Sequence, residues 1–194
     1  MNTSTVQGDL ACWQLLDWRF LLPGADLGRV AVGKSVPLRL RAALVESGHH
    51  VGELADSEAT RLDTVVLSDS SHQEIQDARA RLRPGGGLYL QVRRRPLGAE
   101  RRALECKWSA WSALLHDCGF EAVSAYWSWP GLDRQLSVAP ISSAPAARTV
   151  LERRGWTLRG RIKVRLVRLA WTLGAGPLTA REGFIVARRP EQPR

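Results

Sequence analysis

The chain has 194 residues, 44% of them hydrophobic and 24% charged, and its net charge is +9 from 28 Lys+Arg against 19 Asp+Glu. That is enough length and apolar content for a globular domain with a sizeable core, and it excludes a repeat or low-complexity architecture. Cys12, Cys106 and Cys118 form no C-x-x-C pair, which excludes a disulfide framework and a zinc site, and no apolar run reaches the roughly 18 residues of a membrane-spanning helix.

Met1 to Leu10 is polar and shows no signal peptide, and the three unpaired cysteines fit a reducing cytoplasm. Leu10 to Leu22 predicts a short helix that stops before Pro23, so 1–25 is expected to form an N-terminal helical cap on one domain spanning 1–194. Arg29–Val32 is a short apolar strand with Gly33-Lys34-Ser35 at its carboxyl end. Ser35 can cap a helix that carries Pro37 in its first turn and ends at a C′ glycine, Gly48. His49 to Leu54 is a second strand, with Glu53 near its end.

Leu62 to Leu67 is a buried strand, followed by a turn through Ser68-Asp69-Ser70-Ser71. Ser71 and Glu74 have capping-box spacing, and Ile75, Ala78 and Leu82 form the apolar stripe of a helix. Arg83-Pro84-Gly85-Gly86-Gly87 stops it, and Leu88–Val92 is the next strand. A basic loop, Arg93–Pro96, leads to a long helix from about Ala99 to Asp117, ended by Cys118-Gly119-Phe120. Glu121–Trp129 reads as a strand, 133–145 as a loop and Pro145 to about Gly155 as a helix. Trp156 to Gly174 fits both periods: Arg161, Arg165 and Arg168 share a helical face, while Ile162, Val164 and Leu166 alternate as in a strand. Gly183–Arg188 is a last strand before a flexible tail at 189–194.

Alternating strands and helices predict a three-layer α/β fold with a mostly parallel sheet, with room for one antiparallel edge strand among the last. Ligands of such sheets sit beyond the carboxyl ends of the strands. That directs attention to Ser68, Asp69, Ser70 and His72, although turn and cap chemistry also explains Asp69 and Ser71.

Gly28 to Ser35 matches the phosphate-loop pattern G-x-x-x-x-G-K-S literally. The match fails on mechanism, because its four variable residues must form a loop and here they include Val30-Ala31-Val32, the best strand candidate. Gly33-Lys34-Ser35 is instead a strand-to-helix turn beside a helix N-terminus. Glu53 stands 20 residues beyond Gly33, where nucleotide-binding βαβ units place a ribose-binding acid; an ordinary strand-end glutamate is the competing reading.

From about Arg29 to Arg189 the order of features resembles the class I S-adenosylmethionine-dependent methyltransferases. The resemblance rests on Leu62-Asp-Thr-Val-Val-Leu-Ser-Asp69, on Ala78 through the Leu-Arg-Pro-Gly-Gly turn to Leu90, and on the helix ending Leu115-His-Asp-Cys-Gly-Phe120. It implies a Rossmann-like, mostly parallel seven-stranded sheet with an antiparallel last strand, and S-adenosylmethionine as cofactor. Carried over by position, it implies that Gly33 is a first-motif glycine, Glu53 the ribose acid and Asp69 the acid after the fourth strand, with Lys34, Ser35 and Ser68 beside them. The family's acid and G-x-G-x-G do not recur: one glycine and a lysine stand in their place.

The implied function is a methyltransferase acting on a small molecule in a bacterial biosynthetic pathway. Methyl transfer from a sulfonium needs mainly proximity, and a base only for a protonated acceptor. His72 is the candidate base, with Asp69, His49 and His50 after it. Trp18, Arg19, Tyr126, Trp127 and Trp129 are the expected acceptor pocket, with core filling as the alternative role of the tryptophans. The lost glycines motivate a second possibility, a non-catalytic partner subunit or ligand-binding module on the same fold. A protein partner or a second copy is compatible with either. The arginines between Arg153 and Arg168 suit a weak contact with an anionic surface, and no helix-turn-helix or aromatic-basic motif points to nucleic acid.

Overall fold

The computed structural model describes residues 14–22, 26–56, 61–93, 108–129, 131–132, 137–152, 158–173, 180 and 182–191. Seven strands form one sheet: β1 (Val30–Val32), β2 (Val51–Glu53), β3 (Leu62–Ser68), β4 (Leu82–Arg93), β5 (Glu121–Trp129), β6 (Ser137–Pro140) and β7 (Glu182–Arg188). Among the described residues five α-helices accompany them: α1 (Leu38–Glu46), α2 (His72–Arg81), α3 (Trp108–Asp117), α4 (Ala144–Glu152) and α5 (Leu158–Thr172). The sheet order is β2-β1-β3-β4-β7-β5-β6.

β1 lies parallel to both β2 and β3, with Ala31 opposite Gly52 on one side and Val65 on the other. β3 is parallel to β4, while β7 runs antiparallel between β4 and β5. The last strand is thus antiparallel as expected, but it is interior. The antiparallel edge is β6, in a stretch that reads as loop: Ser137–Pro140 is too short to show a period, and its strand character comes from pairing with β5. Pro140 is tolerated there because an edge strand has one side free of ladder bonds.

Both faces of the sheet are covered, and residue alternation assigns the side chains. Val65, Leu67, Leu88, Leu90, Ile185 and Ala187 face the cluster under α2, α3, α4 and α5. Val66, Tyr89, Phe184 and Val186 face the cluster formed with α1 and the N-terminal segment. Strands buried on both sides explain why β3 and β4 read as continuous apolar runs.

Local chemistry sets most boundaries. Ser71 Oγ accepts from the Glu74 amide at 3.2 Å and starts α2 as the capping box predicts. Gly48, at φ +84°, takes the left-handed position after α1. The start of α1 differs from expectation: Pro37 occupies the N-cap and no side chain caps it, because Gly33–Val36 is used in a separate turn closed by Val36 N–H to Gly33 O at 3.2 Å. β4 begins at Leu82, earlier than the apolar run, with a register shift between Leu62/Leu82 and Thr64/Gly87 that accommodates Arg83–Gly86. The ambiguous segment is helical over Leu158–Thr172: Val164, Val167 and Trp171 enter the core, whereas the strand reading would bury Leu166, which is 63% exposed.

Where a helix over Leu10–Leu22 is expected, the described residues from Gln14 hold instead a 3-10 helix of 5 residues, Asp17–Leu21, with Trp18 buried. Residues 1–13, the loop 94–96, the first part of the long helix at 99–107, residues 153–157 and the end of the tail at 192–194 lie outside the described residues.

Candidate functional site

The carboxyl ends of β1, β2, β3 and β4 point to the same edge of the sheet, as parallel pairing requires. Val30–Val32 is strand, and Gly33 ends it by donating its N–H to Val66 O at 2.9 Å. No phosphate loop wraps there. Gly33 is closely covered: a Cβ on it would lie 2.4 Å from Glu74 Oε1 and 2.9 Å from Leu67 Cδ2.

The turn after β1 is organised by Arg41, a residue that sequence reading missed. From α1 its Nη2 donates to Gly33 O at 2.6 Å and to Lys34 O at 3.3 Å, and its Nε donates to Val36 O at 3.2 Å. Nη1 makes an ion pair with Glu53 Oε1 at the tip of β2. One guanidinium therefore ties three carbonyls of the turn to the strand-end acid. The available signal was an arginine early in a helix, 12 residues before the only acid at the end of β2.

Beside this clamp is a cavity of about 370 Å³, of the size that holds a small ligand. Lys34 and Ser35 line it from the β1 turn, Leu54 and Ala55 from the segment after β2, and Ser71, Gln73, Glu74, Asp77 and Arg81 from α2. Arg81 donates through Nη1 to the Leu54 carbonyl and so joins the two walls.

The tips of β3 and β4 are locked together. Asp69 adopts φ +48°, donates its N–H to Gln91 O at 3.0 Å and accepts the Arg93 N–H on Oδ1 at 2.9 Å. Ser68 is buried, and its carbonyl accepts from Ser70 Oγ at 3.4 Å. His72 is exposed on the first turn of α2; its Nδ1 is 3.9 Å from Cys118 Sγ, and it does not line the cavity. Burial, with help from Asp117, pushes the Cys118 thiol above its ordinary value, and Arg79 offsets part of this.

Of the residues expected to form an acceptor pocket, the four with described side chains, Trp18, Arg19, Tyr126 and Trp127, are not gathered in one place. Trp18 is fully buried and stacks on Tyr89 with ring centroids 4.0 Å apart. Tyr126 stacks on Phe184 on that same face of the sheet, at 5.4 Å. Trp127 points to the opposite face and meets Trp171 at 5.8 Å. Arg19 lies over the Phe20 ring, and the Trp129 side chain is outside the described residues. Next to the Trp18–Tyr89 stack, Gln91 Nε2 donates to the Tyr89 hydroxyl at 3.2 Å, and burial raises that hydroxyl's pKa. Gln91 Oε1 and Trp18 Nε1 are buried without a hydrogen-bond partner among the described residues. His, Cys, Asp and Glu form no group suited to a metal ion among the described residues.

No protein-family model and no curated protein sequence matches the chain. Solved structures do. An S-adenosylmethionine-dependent methyltransferase from Archaeoglobus fulgidus superposes over 94% of both chains, with a TM-score of 0.52 and 10% identity. Phosphoethanolamine N-methyltransferase 2 from Haemonchus contortus, solved with S-adenosyl-L-methionine, matches 92% of this chain with a TM-score of 0.50 and 11% identity. The chain spans about half of that enzyme, 52% of its length. The protein thus has the class I S-adenosylmethionine-dependent methyltransferase fold, a Rossmann-like seven-stranded sheet with an antiparallel last strand. At these identities the likeness is one of fold.

Proposed function

We propose that the protein is an S-adenosylmethionine-dependent methyltransferase acting on a small molecule. The observation that carries this reading is the cavity at the carboxyl ends of β1 and β2, lined by Lys34 and Ser35 and adjoining the strand that ends in Glu53. Its size, and a lining that joins apolar surface to the polar groups of Ser35, Gln73 and Asp77, suit the nucleoside end of the cofactor. Ser35, Gln73 and Asp77 would hold that end. Arg41 engages Oε1 of Glu53 and fixes the carboxylate's direction, so Oε2 is the oxygen left to accept from a ribose hydroxyl.

When bound, the cofactor supplies an electrophilic methyl group on a sulfonium. The chain's contribution is to bind and orient. Gln91 Oε1 near the end of β4 and Trp18 Nε1 on the Asp17–Leu21 turn, without partners among the described residues, are where polar groups of an acceptor would be matched, since buried polar atoms are seldom left without a partner. For an acceptor that must lose a proton, Asp69 and His72 are the assigned bases; Asp69→Asn and His72→Gln then lower kcat by about a hundredfold or more with little change in cofactor affinity.

Titration calorimetry with S-adenosylhomocysteine tests the reading, with one-site binding expected and weakened by Glu53→Ala. No heat at millimolar ligand removes it. The second reading, a non-catalytic module, is favoured by one specific feature: the glycine-poor turn whose carbonyls and neighbouring acid already have Arg41 as partner. It predicts that Glu53→Ala leaves the biological activity unchanged.

A further inference from the structure

Helix α5 (Leu158–Thr172) is held by one face and bare on another. Val164, Val167 and Trp171, at i, i+3 and i+7, enter the core. Leu166, Leu169 and Leu173 repeat that spacing on the outside and are 63%, 55% and 73% exposed. A lone exposed leucine needs no explanation, but three at this spacing make a continuous apolar stripe two turns long on a side where a surface helix is normally polar. In the sequence the same spacing continues backward to Ile162 and Leu158.

Charge says what the stripe faces. The helix sequence holds Arg159, Arg161, Lys163, Arg165 and Arg168 and no acidic residue, in a chain whose net charge is +9. Among the described side chains, Arg165 and Arg168 are exposed, and helical register sets them along one flank of the leucine row. A second copy of the chain would bring another basic helix against this one. A nucleic acid would use the arginines and leave the leucines in water. An apolar stripe beside basic side chains matches an anionic bilayer surface, where leucines enter the acyl boundary and arginines meet headgroup phosphates. At 15 residues and with five bases the helix cannot span a bilayer, and no helix among the described residues is long and apolar enough to do so.

We infer that α5 docks the protein on anionic lipid surfaces, lying in the interface plane with Leu166, Leu169 and Leu173 inserted and Arg165 and Arg168 at headgroup level. Vesicle co-sedimentation of the full chain tests this, with phosphatidylcholine vesicles compared with phosphatidylcholine–phosphatidylglycerol mixtures. Binding is expected only to the mixed vesicles and falls as salt rises. A variant carrying Leu166→Gln, Leu169→Gln and Leu173→Gln keeps its charge and its melting temperature and loses binding by about tenfold or more. Arg165→Gln loses about fivefold. Binding to both vesicle types alike, or to neither, overturns the inference. So does undiminished binding by the leucine variant, which would leave only an arginine-driven polyanion contact. A dimer in light scattering that the leucine variant dissociates, without vesicle binding, would make a second copy the occupant and overturn it equally.

Discussion

Arg41→Met is the sharpest perturbation of the site, because it keeps the aliphatic stem and removes the guanidinium alone. The ion pair joins side chains that are 21% and 39% exposed, so after solvent screening it contributes no more than about 1 kcal/mol. The bonds to the Gly33 and Val36 carbonyls are charge-assisted but partly solvated, and contribute about 1 kcal/mol each. The bond to Lys34 O, at 3.3 Å and exposed, adds little. The variant should therefore lose about 2.5 kcal/mol, which for a chain of this size lowers Tm by about 5–10 °C. Glu53→Gln alone should lose about 1 kcal/mol or less, and in the Arg41→Met background almost nothing further, since its partner has gone. Urea denaturation of the four proteins measures the cycle. A loss under about 0.5 kcal/mol for Arg41→Met would refute the clamp. The same variant decides what the clamp does for ligand. If Arg41 orients Glu53, S-adenosylhomocysteine binds about tenfold more weakly without it; tighter binding would mean that Arg41 plugs the site instead.

Three further outcomes follow from packing and burial. Gly33→Ala places a methyl 2.4 Å from Glu74 Oε1 and should destabilise by about 1–3 kcal/mol, with Glu74→Ala returning part of the loss; equal losses in the single and double variants would clear Glu74 of the obstruction. Trp18→Ala removes a fully buried ring stacked at 4.0 Å and should cost about 3–5 kcal/mol by thermal melt, so a loss near 1 kcal/mol would show that the N-terminal segment is not docked as described. In a Cys12→Ser, Cys106→Ser background, Cys118 should label slowly with a thiol reagent at pH 8. Its folded pKa is raised by burial and Asp117, so its stabilising contribution is full below the unfolded thiol value of about 8.5 and is lost as pH rises through the folded value. Tm should begin to fall as pH rises past the unfolded value of about 8.5, and fall less in Cys118→Ala; identical alkaline profiles would deny the shift.

The legible parts of the fold were those with local causes. β3 and β4 are buried on both faces and so form apolar runs, and α2 carries its own cap in Ser71 and its own stripe in Ile75 and Ala78. β5 matched residue for residue because its ends are marked by Gly119, at φ +78°, and by a Pro-Gly pair. The illegible parts had distant causes. β6 exists because Ser137–Pro140 finds the free edge of β5, and the interior place of β7 depends on Gly87–Arg93 leaving a partnerless side. Neither pairing leaves a trace in a window of ten residues. The helical state of α5 was hidden for another reason: its exposed leucines supply apolar residues at positions where a soluble helix would break the period-two pattern with polar ones.

The site divides along the same line. Gly33, Lys34, Ser35, Glu53 and Asp69 could be placed at strand tips from sequence, since strand ends are what the apolar runs define. What each does there depends on a partner far along the chain: Glu53 on Arg41, Gly33 on Glu74, Asp69 on Arg93. A turn rich in glycine holds a ligand with its own backbone, because nothing stands between the N–H groups and the ligand. The turn here has one glycine and two bulky neighbours, and its shape is instead held from behind by an arginine that collects its carbonyls. Pulling three carbonyls toward one guanidinium turns the peptide planes of Gly33–Val36 as a set, and the amides on their other edges turn with them. A degenerate glycine motif and a four-contact arginine are therefore one structural solution, and a substitution that restores glycine at Lys34 should weaken dependence on Arg41: the stability lost on Arg41→Met should shrink in a Lys34→Gly background, and an unchanged loss would separate the two features.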